Sequence, residues 1–155
     1  MQFLLETKQV QKMNDNNSVE MELLLDVLNE CGTIRLPVQG RSMQPFLKEG
    51  RDSAVLNLPD GNIKKGDIVV YKRKNAYFMH RIVDVQKNTV SIMGDNEINP
   101  DNGVEKSNIV AVVNEIRRDG KTINKNDFLW KFYSDVYINM KIRKIFLKLH
   151  KIRKG

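Results

Sequence analysis

The feature that most constrains this chain is a long succession of short strand-like segments between residues 33 and 123. Each segment is rich in aliphatic and β-branched residues, and turn formers such as Pro59-Asp60-Gly61 and Asp119-Gly120 separate them. No helical period interrupts the succession. Strands at this spacing without intervening helices favour antiparallel pairing. We therefore predict a mainly β (α+β) fold of coiled antiparallel sheets, with strands at 34–38, 54–58, 67–72, 77–86, 89–93, 109–116 and 121–123.

Helical patterns flank the strands on both sides. Asn17 or Ser18 can cap a leading helix, and Gly32 supplies its C-terminal stop. The apolar stripe of this helix consists of Met21, Leu24, Leu25 and Leu28. From residue 126 onward the spacing is helical again. The chain thus divides into a weakly ordered arm over 1–16, a β domain with a leading helix over 17–125, and a basic amphipathic helical tail over 126–155.

The net charge of +7 is concentrated in the tail. Residues 136–155 contain seven lysine and arginine residues and no acidic residue. The remaining 19 basic residues of the chain balance its 19 acidic ones. The seven are Lys141, Arg143, Lys144, Lys148, Lys151, Arg153 and Lys154. Apolar residues predicted to share one face, away from these cations, are Ile138, Ile142, Ile145, Phe146, Leu149 and Ile152. Such asymmetry predicts an anionic partner for the tail, either lipid or nucleic acid.

Composition excludes several other classes of protein. The single cysteine, Cys31, cannot form a disulfide within the chain and favours a reducing compartment. One cysteine and two histidines leave too few ligands for a zinc site, and we expect no metal and no cofactor. No apolar run approaches the roughly 18 residues of a membrane span. We therefore expect a cytoplasmic protein.

Ser42 is the first residue with a predicted chemical role. It lies in a Gly-x-Ser-Met-x-Pro segment at 40–45, where a strand ends at a glycine and enters a tight turn. That geometry exposes the hydroxyl and directs backbone N–H groups to one point, as an oxyanion hole requires. The alternative is an ordinary strand-to-turn junction with a solvated serine.

His80 is the second such residue, in the predicted strand 77–86. Alternation places His80 on one face between Phe78 and Ile82. Apolar neighbours favour the neutral imidazole near pH 7, which suits a general base for a serine. The alternative is a core histidine bonded to a backbone carbonyl.

An acidic loop, Gly94-Asp95-Asn96-Glu97-Ile98-Asn99-Pro100-Asp101, follows the hairpin partner of the His80 strand. A carboxylate here can orient the imidazole and stabilise its charged form. Plain turn chemistry explains the same residues. The residues alone leave open which aspartate, Asp95 or Asp101, would act.

In order and spacing these segments resemble the type I signal peptidases and the LexA-like self-cleaving peptidases, over about residues 40–113. His80 stands where most bacterial signal peptidases have a lysine, so the chain is most similar to the endoplasmic-reticulum-like branch with a Ser-His pair, as a small unanchored bacterial member. The resemblance implies that Ser42 is the nucleophile and His80 its general base. It implies that Asp101 orients His80, that Asp95 holds the loop, and that substrate contacts come from Gly40, Met43 and Phe78.

The substrate implied by the resemblance is a leader or signal-like peptide, or a preprotein, with small side chains near the cut. Signal peptidases often have a serine where this chain has Gly40, so an oxyanion hole here would depend on backbone N–H groups. Too little chain precedes the β domain for a DNA-binding unit, so we expect no nucleic-acid partner. The tail would instead contact the inner membrane face. Two alternatives remain open: a non-catalytic peptide-binding module of the same fold, and a LexA-like regulator associated with nucleic acid.

Overall fold

A computed structural model describes residues 18–154 of the chain. Its eight strands confirm the predicted fold class: mainly antiparallel β structure with a helix before the sheet and helices after it. The strands are β1 (Thr33–Pro37), β2 (Asp52–Asn57), β3 (Ile68–Arg73), β4 (Ala76–Val85), β5 (Thr89–Met93), β6 (Asp101–Glu105), β7 (Ile109–Arg118) and β8 (Lys121–Asn124).

The strands form one connected sheet in the order β1-β2-β7-β3-β4-β5-β6, with β8 paired to β7. Every pairing is antiparallel, and irregularities in register interrupt four of them. Alternation along the strands supplies two apolar clusters. The larger contains Leu56, Ile68, Val70 and Val113, and the smaller contains Val69, Tyr71, Ile82 and Ile92.

Strand β6 is the element that the sequence prediction missed. The predicted acidic loop ends at Asp101 and no element is predicted for residues 102–105, yet Asp101–Glu105 pairs with β5. Asp, Asn and Gly are poor strand formers, so the local pattern predicts a turn. The unpaired edge of β5 offers backbone partners that override this propensity.

The leading helix, α1, is helical from residue 18 to residue 31. Leu28 is fully buried, and Met21 and Leu25 pack against the larger cluster. Gly32 has φ of +78° and donates its N–H to the Leu28 carbonyl at 2.8 Å, which ends the helix as predicted. The arm predicted over 1–16 lies outside the described residues.

The C-terminal segment contains α2 (Phe128–Lys131), a π-helical turn (Phe132–Val136) and α3 (Met140–Lys154). Trp130, Tyr133 and Tyr137 are buried in the larger cluster, so this segment packs on the sheet. The domain boundary predicted near residue 125 stays a prediction. No helix within 18–154 is long and apolar enough to cross a membrane.

The side chains of α3 do not all face as predicted. The prediction that all seven cations lie away from the packed face is wrong for Arg143, which is fully buried. Ile138 is buried, whereas Ile145 and Leu149 are 59% and 56% exposed. The helix turns its charged Arg143 inward because buried carbonyl and carboxylate oxygens lie there to receive it. Much of the apolar stripe therefore faces solvent.

Candidate active site

Ser42 lies in a tight turn between β1 and β2 and is partly exposed. Gly40 adopts φ of +76°, a conformation that L side chains rarely adopt, and it turns the chain out of the strand direction just before the serine. The Leu47 N–H donates to the Met43 carbonyl at 2.9 Å, and Met43, Phe46 and Leu47 are buried. The turn is thus fixed by its apolar residues, and Ser42 is left at its surface.

The Ser42 turn is attached to the acidic loop after β5. The Asn96 backbone N–H donates to the Ser42 carbonyl at 2.8 Å. Gly94 permits this approach, because a Cβ at its position would lie only 2.5 Å from the Ser42 carbonyl oxygen. The glycine and the asparagine of the loop therefore serve the position of Ser42 through their backbones.

A second anchor lies under the far end of the turn. Buried Asp52 accepts hydrogen bonds from Arg118 and Arg51, and both guanidinium groups also donate to the Phe46 carbonyl. Burial raises the pKa of Asp52, but the bonds from Arg118 and Arg51 outweigh it, so the net pKa lies below its ordinary value. The carboxylate stays ionised and holds the carbonyl end of the turn.

His80 lies in β4 and is almost fully buried. Its ring packs with those of Tyr71 and Phe78, each pair of ring centroids being 5.9 Å apart. Nδ1 of His80 lies 3.1 Å from the Tyr71 hydroxyl, which donates to Oδ2 of Asp101 at 2.9 Å. Arg73 pairs with the other Asp101 oxygen at 2.7 Å. Asp101 therefore reaches His80 through one tyrosine hydroxyl.

This chain of hydrogen bonds determines the tautomer of His80. A tyrosine hydroxyl has one proton, so a hydroxyl that donates to Asp101 must accept from His80. Burial, followed by the bond to Asp101, raises the pKa of Tyr71, so the hydroxyl keeps that proton. His80 then carries its proton on Nδ1 and presents the lone pair of Nε2.

Nε2 of His80 lies 3.7 Å from Oε1 of Glu97, whose Oε2 accepts the Gly94 N–H at 3.0 Å. In the described part of the chain no hydrogen bond joins the Ser42 hydroxyl to His80. Hydrogen bonds between catalytic groups are often long before substrate binds. Burial lowers the pKa of His80 below 6.5, although the carboxylates of Glu97, Asp101 and Asp95 oppose the shift. The imidazole is therefore mostly neutral at pH 7.

Asp95 contacts Arg81 rather than His80. Both of its oxygens accept from Arg81, at 2.8 and 2.9 Å, and neither side chain is exposed. The Asp95 carbonyl accepts the Tyr137 hydroxyl at 2.8 Å, and Arg143 donates to the Gly94 carbonyl at 2.8 Å. These bonds fix the loop that carries Gly94 and Glu97.

Ser42 and His80 line one cavity of about 310 Å³. Met43 and Phe78, two of the predicted substrate-binding residues, line it as well, whereas Gly40 does not. Met43 is buried at the base of the turn, and Phe78 is partly exposed beside His80. Asp101 and Glu97 line a neighbouring depression that also contains His80 and Phe78. The imidazole thus separates the serine from the carboxylates.

Three residues at this site were missed by the sequence reasoning: Tyr71, Arg81 and Glu97. The register of β3 and β4 offers a signal for Tyr71, because it pairs with Phe78 and lies diagonally across from His80. Arg81 adjoins His80 and so points to the opposite face of β4. Glu97 belongs to an irregular loop, and no periodicity predicts its direction.

Among residues 18–154, no group of three or more His, Cys, Asp or Glu side chains is placed to hold a metal ion.

A family model described as Peptidase S24-like matches residues 7–115, which is more than half of the chain. Comparison with curated proteins and with solved structures gave no match.

We predict that Gly94→Ala disturbs the Ser42 turn. The added methyl group must displace the Ser42 carbonyl, and overpacking of this kind costs about 1–3 kcal/mol. Urea unfolding measures the loss. Asn96→Ala is the matched control, because it keeps the backbone N–H that bonds Ser42 and should leave stability nearly unchanged. Equal stability of the two variants would contradict the packing argument.

Proposed function

The chain belongs to the Peptidase S24-like family, and on that premise we propose that it is a serine endopeptidase in which Ser42 and His80 act as a pair. The family supports a serine peptidase in general and includes self-cleaving regulators. The observation that carries the specific proposal is the cavity shared by Ser42 and His80, whose imidazole is connected through Tyr71 to Asp101.

The proposed reaction is peptide-bond hydrolysis through an acyl-enzyme. Nε2 of His80 takes the proton of the Ser42 hydroxyl while Oγ bonds to the scissile carbonyl carbon. The tetrahedral intermediate collapses, the C–N bond breaks, and His80 returns the proton to the leaving amine. Water then attacks the acyl ester by the same proton transfers and restores the Ser42 hydroxyl. Approach of the Ser42 hydroxyl to Nε2 begins the cycle, while Nδ1 keeps its hydrogen bond to Tyr71.

The chain's own groups support each charge that develops. The imidazolium is stabilised through Tyr71 by Asp101, whose other carboxylate oxygen accepts a hydrogen bond from Arg73 at 2.7 Å. In the described part of the chain, the backbone N–H groups of Ser42 and Met43 donate to no protein acceptor. They are free to receive the oxyanion of the intermediate. Because Gly40 has no side-chain hydroxyl, the oxyanion hole in this proposal depends on these backbone N–H groups.

The substrate in this proposal is a leader or signal-like peptide bound in extended form. A His80 base at this position corresponds to the endoplasmic-reticulum-like branch. The alternative is a peptide-binding module that keeps the fold without turnover. Its distinguishing property would be a Ser42 hydroxyl that does not react with acylating or phosphonylating probes.

We predict that Ser42→Ala abolishes cleavage and labelling by a fluorophosphonate probe while the fold is kept. Loss of the nucleophile removes several orders of magnitude of rate. Intact-mass spectrometry reads the labelling, and co-expression with short secreted peptides reads the cleavage. Ser53→Ala, a substitution in β2, is the control and should behave as the original chain. Labelling that persists in Ser42→Ala would overturn the assignment.

We predict that kcat/KM falls on acidification through an apparent pKa below 6.5, because only neutral His80 accepts the serine proton. Tyr71→Phe removes the hydrogen-bond partner of Nδ1 but leaves Nε2 able to accept a proton. It should therefore lower kcat/KM, but by less than the loss of the general base, which contributes about 10²–10⁴-fold. Tyr133→Phe keeps the ring that packs on Phe46 and removes only a hydroxyl that takes no part in the hydrogen bonds of His80, Tyr71 and Asp101, so it should change neither quantity. A pH profile governed only by an ionisation above about pH 9 would indicate a different base.

The tail supports a further part of the proposal, contact with an anionic membrane surface. Ile145 and Leu149 project from α3, and exposed Lys144, Lys148 and Lys151 lie beside them. An apolar stripe bordered by lysines is the pattern of interfacial helices, and each cation near an anionic surface adds on the order of 1 kcal/mol. Charge complementarity thus favours lipid as the occupant of this stripe.

We predict that the protein co-sediments with phosphatidylglycerol vesicles at low salt and not with phosphatidylcholine vesicles. The double substitution Ile145→Asn/Leu149→Asn should abolish binding. Leu23→Asn, which changes an equally exposed leucine on α1, should leave it intact. A protein that stays in the supernatant with both vesicle types, or a double variant that binds normally, would show that the stripe does not contact lipid.

A further inference from the structure

The cavity beside Ser42 and His80 is apolar well beyond what the chemistry of hydrolysis needs. Three methionines, Met21, Met43 and Met79, line it together with Leu24 and Leu36. Among the described residues that line it, the only acidic or basic side chains are His80 and Glu20, and Glu20 is exposed. Its volume of about 310 Å³ falls within the range of sites that enclose small ligands, about 300–1,000 Å³.

Helix α1 forms one wall of this cavity. Met21 and Leu24 face it, whereas Leu23, one residue away, is 63% exposed on the outer side of the helix. The helix is held in place by packing of Met21 and Leu25 on the larger cluster. Leu24 is the exception among these residues, since it lines the cavity without belonging to that packing. The dimensions of the cavity therefore depend on a helix outside the motifs that carry Ser42 and His80.

We infer that this cavity receives a large apolar side chain of the substrate peptide, such as leucine, methionine or phenylalanine, and that Leu24 limits the size it accepts. The inference rests on the proposed function and departs from the small side chains that the family resemblance implies. A small side chain would leave most of the apolar lining in contact with water, so that surface would contribute nothing to the free energy of binding. Apart from His80, which the proposed reaction uses, a charged side chain would find no buried ionisable partner among the lining residues.

The flexible lining suits a range of apolar side chains. Methionine has three rotatable bonds and a polarisable sulfur, so it adapts to different shapes. An extended peptide directs alternate side chains to the same face. Selection should therefore fall on one position near the cut, or on two positions separated by a single residue, and the intervening position should be free.

The experiment uses the full chain and a randomised peptide library, with cleavage sites read by mass spectrometry. We expect large apolar residues at the selected position. Leu24→Trp, which fills the cavity, should lower kcat/KM for those peptides at least about tenfold and leave peptides with alanine there nearly unaffected. Leu23→Trp is the matched control on the outer face and should resemble the original chain. If Leu24→Trp does not fold, Leu24→Ala enlarges the cavity and should shift selection toward tryptophan.

The outcomes separate this inference from the proposed function. Cleavage that depends on Ser42 but selects small residues, or selection that Leu24 substitutions do not change, overturns the inference and leaves the peptidase assignment standing. If the original chain cleaves no peptide, the peptidase assignment fails, and retention of library peptides by the immobilised protein decides the inference. Retention of peptides with large apolar residues, lost in Leu24→Trp, supports it; retention without such enrichment, or no retention, overturns it.

Discussion

The ion pair between Arg81 and Asp95 is the interaction on which the rest of the site depends. Its two charges are out of contact with water, so removal of either partner would leave a buried charge and cost about 3–5 kcal/mol. Arg81 also donates to the Gly66 carbonyl and lies over the Phe46 ring. The pair therefore connects β4, the segment before β3, the Ser42 turn and the loop after β5. Its value lies in where it places these elements rather than in net stabilisation.

Two neighbouring residues of β4 make the contacts on the two faces of the sheet at this site. Arg81 points to the ion pair, and His80 points to Tyr71 and the carboxylates on the other face. A register slip of one residue would exchange the two side chains and lose both arrangements. The pairing of Val69 with His80 and Ile68 with Arg81 prevents this, because both β3 residues are fully buried. The position of the imidazole is thus set by the core of the sheet.

Sequence reasoning predicted the antiparallel sheet, the end of α1 at Gly32 and the residues Ser42 and His80, which the structure brings to one cavity. These follow from local signals: alternation, turn formers and a helix stop. It did not predict β6, whose residues favour turns and form a strand only because the edge of β5 is available. It also did not predict that Tyr71 stands between His80 and Asp101, or that Arg143 is buried. Both depend on contacts between segments far apart in the chain: 30 residues separate Tyr71 from Asp101, and 49 separate Arg143 from Gly94.

The contacts of Tyr137 and Arg143 with the loop at 94–97 have a consequence for biosynthesis. A chain that emerges from the ribosome presents its N-terminal portion first. Strands β1 and β2, which flank the Ser42 turn, and β4, which carries His80, can pair with their neighbours while residues 137–143 are still inside the exit tunnel. The loop that buttresses the serine then lacks the hydroxyl and guanidinium groups that fix its carbonyls. A nascent chain would thus acquire its sheet before the loop beside Ser42 is fixed, so the final geometry around Ser42 would form only after the C-terminal segment has emerged.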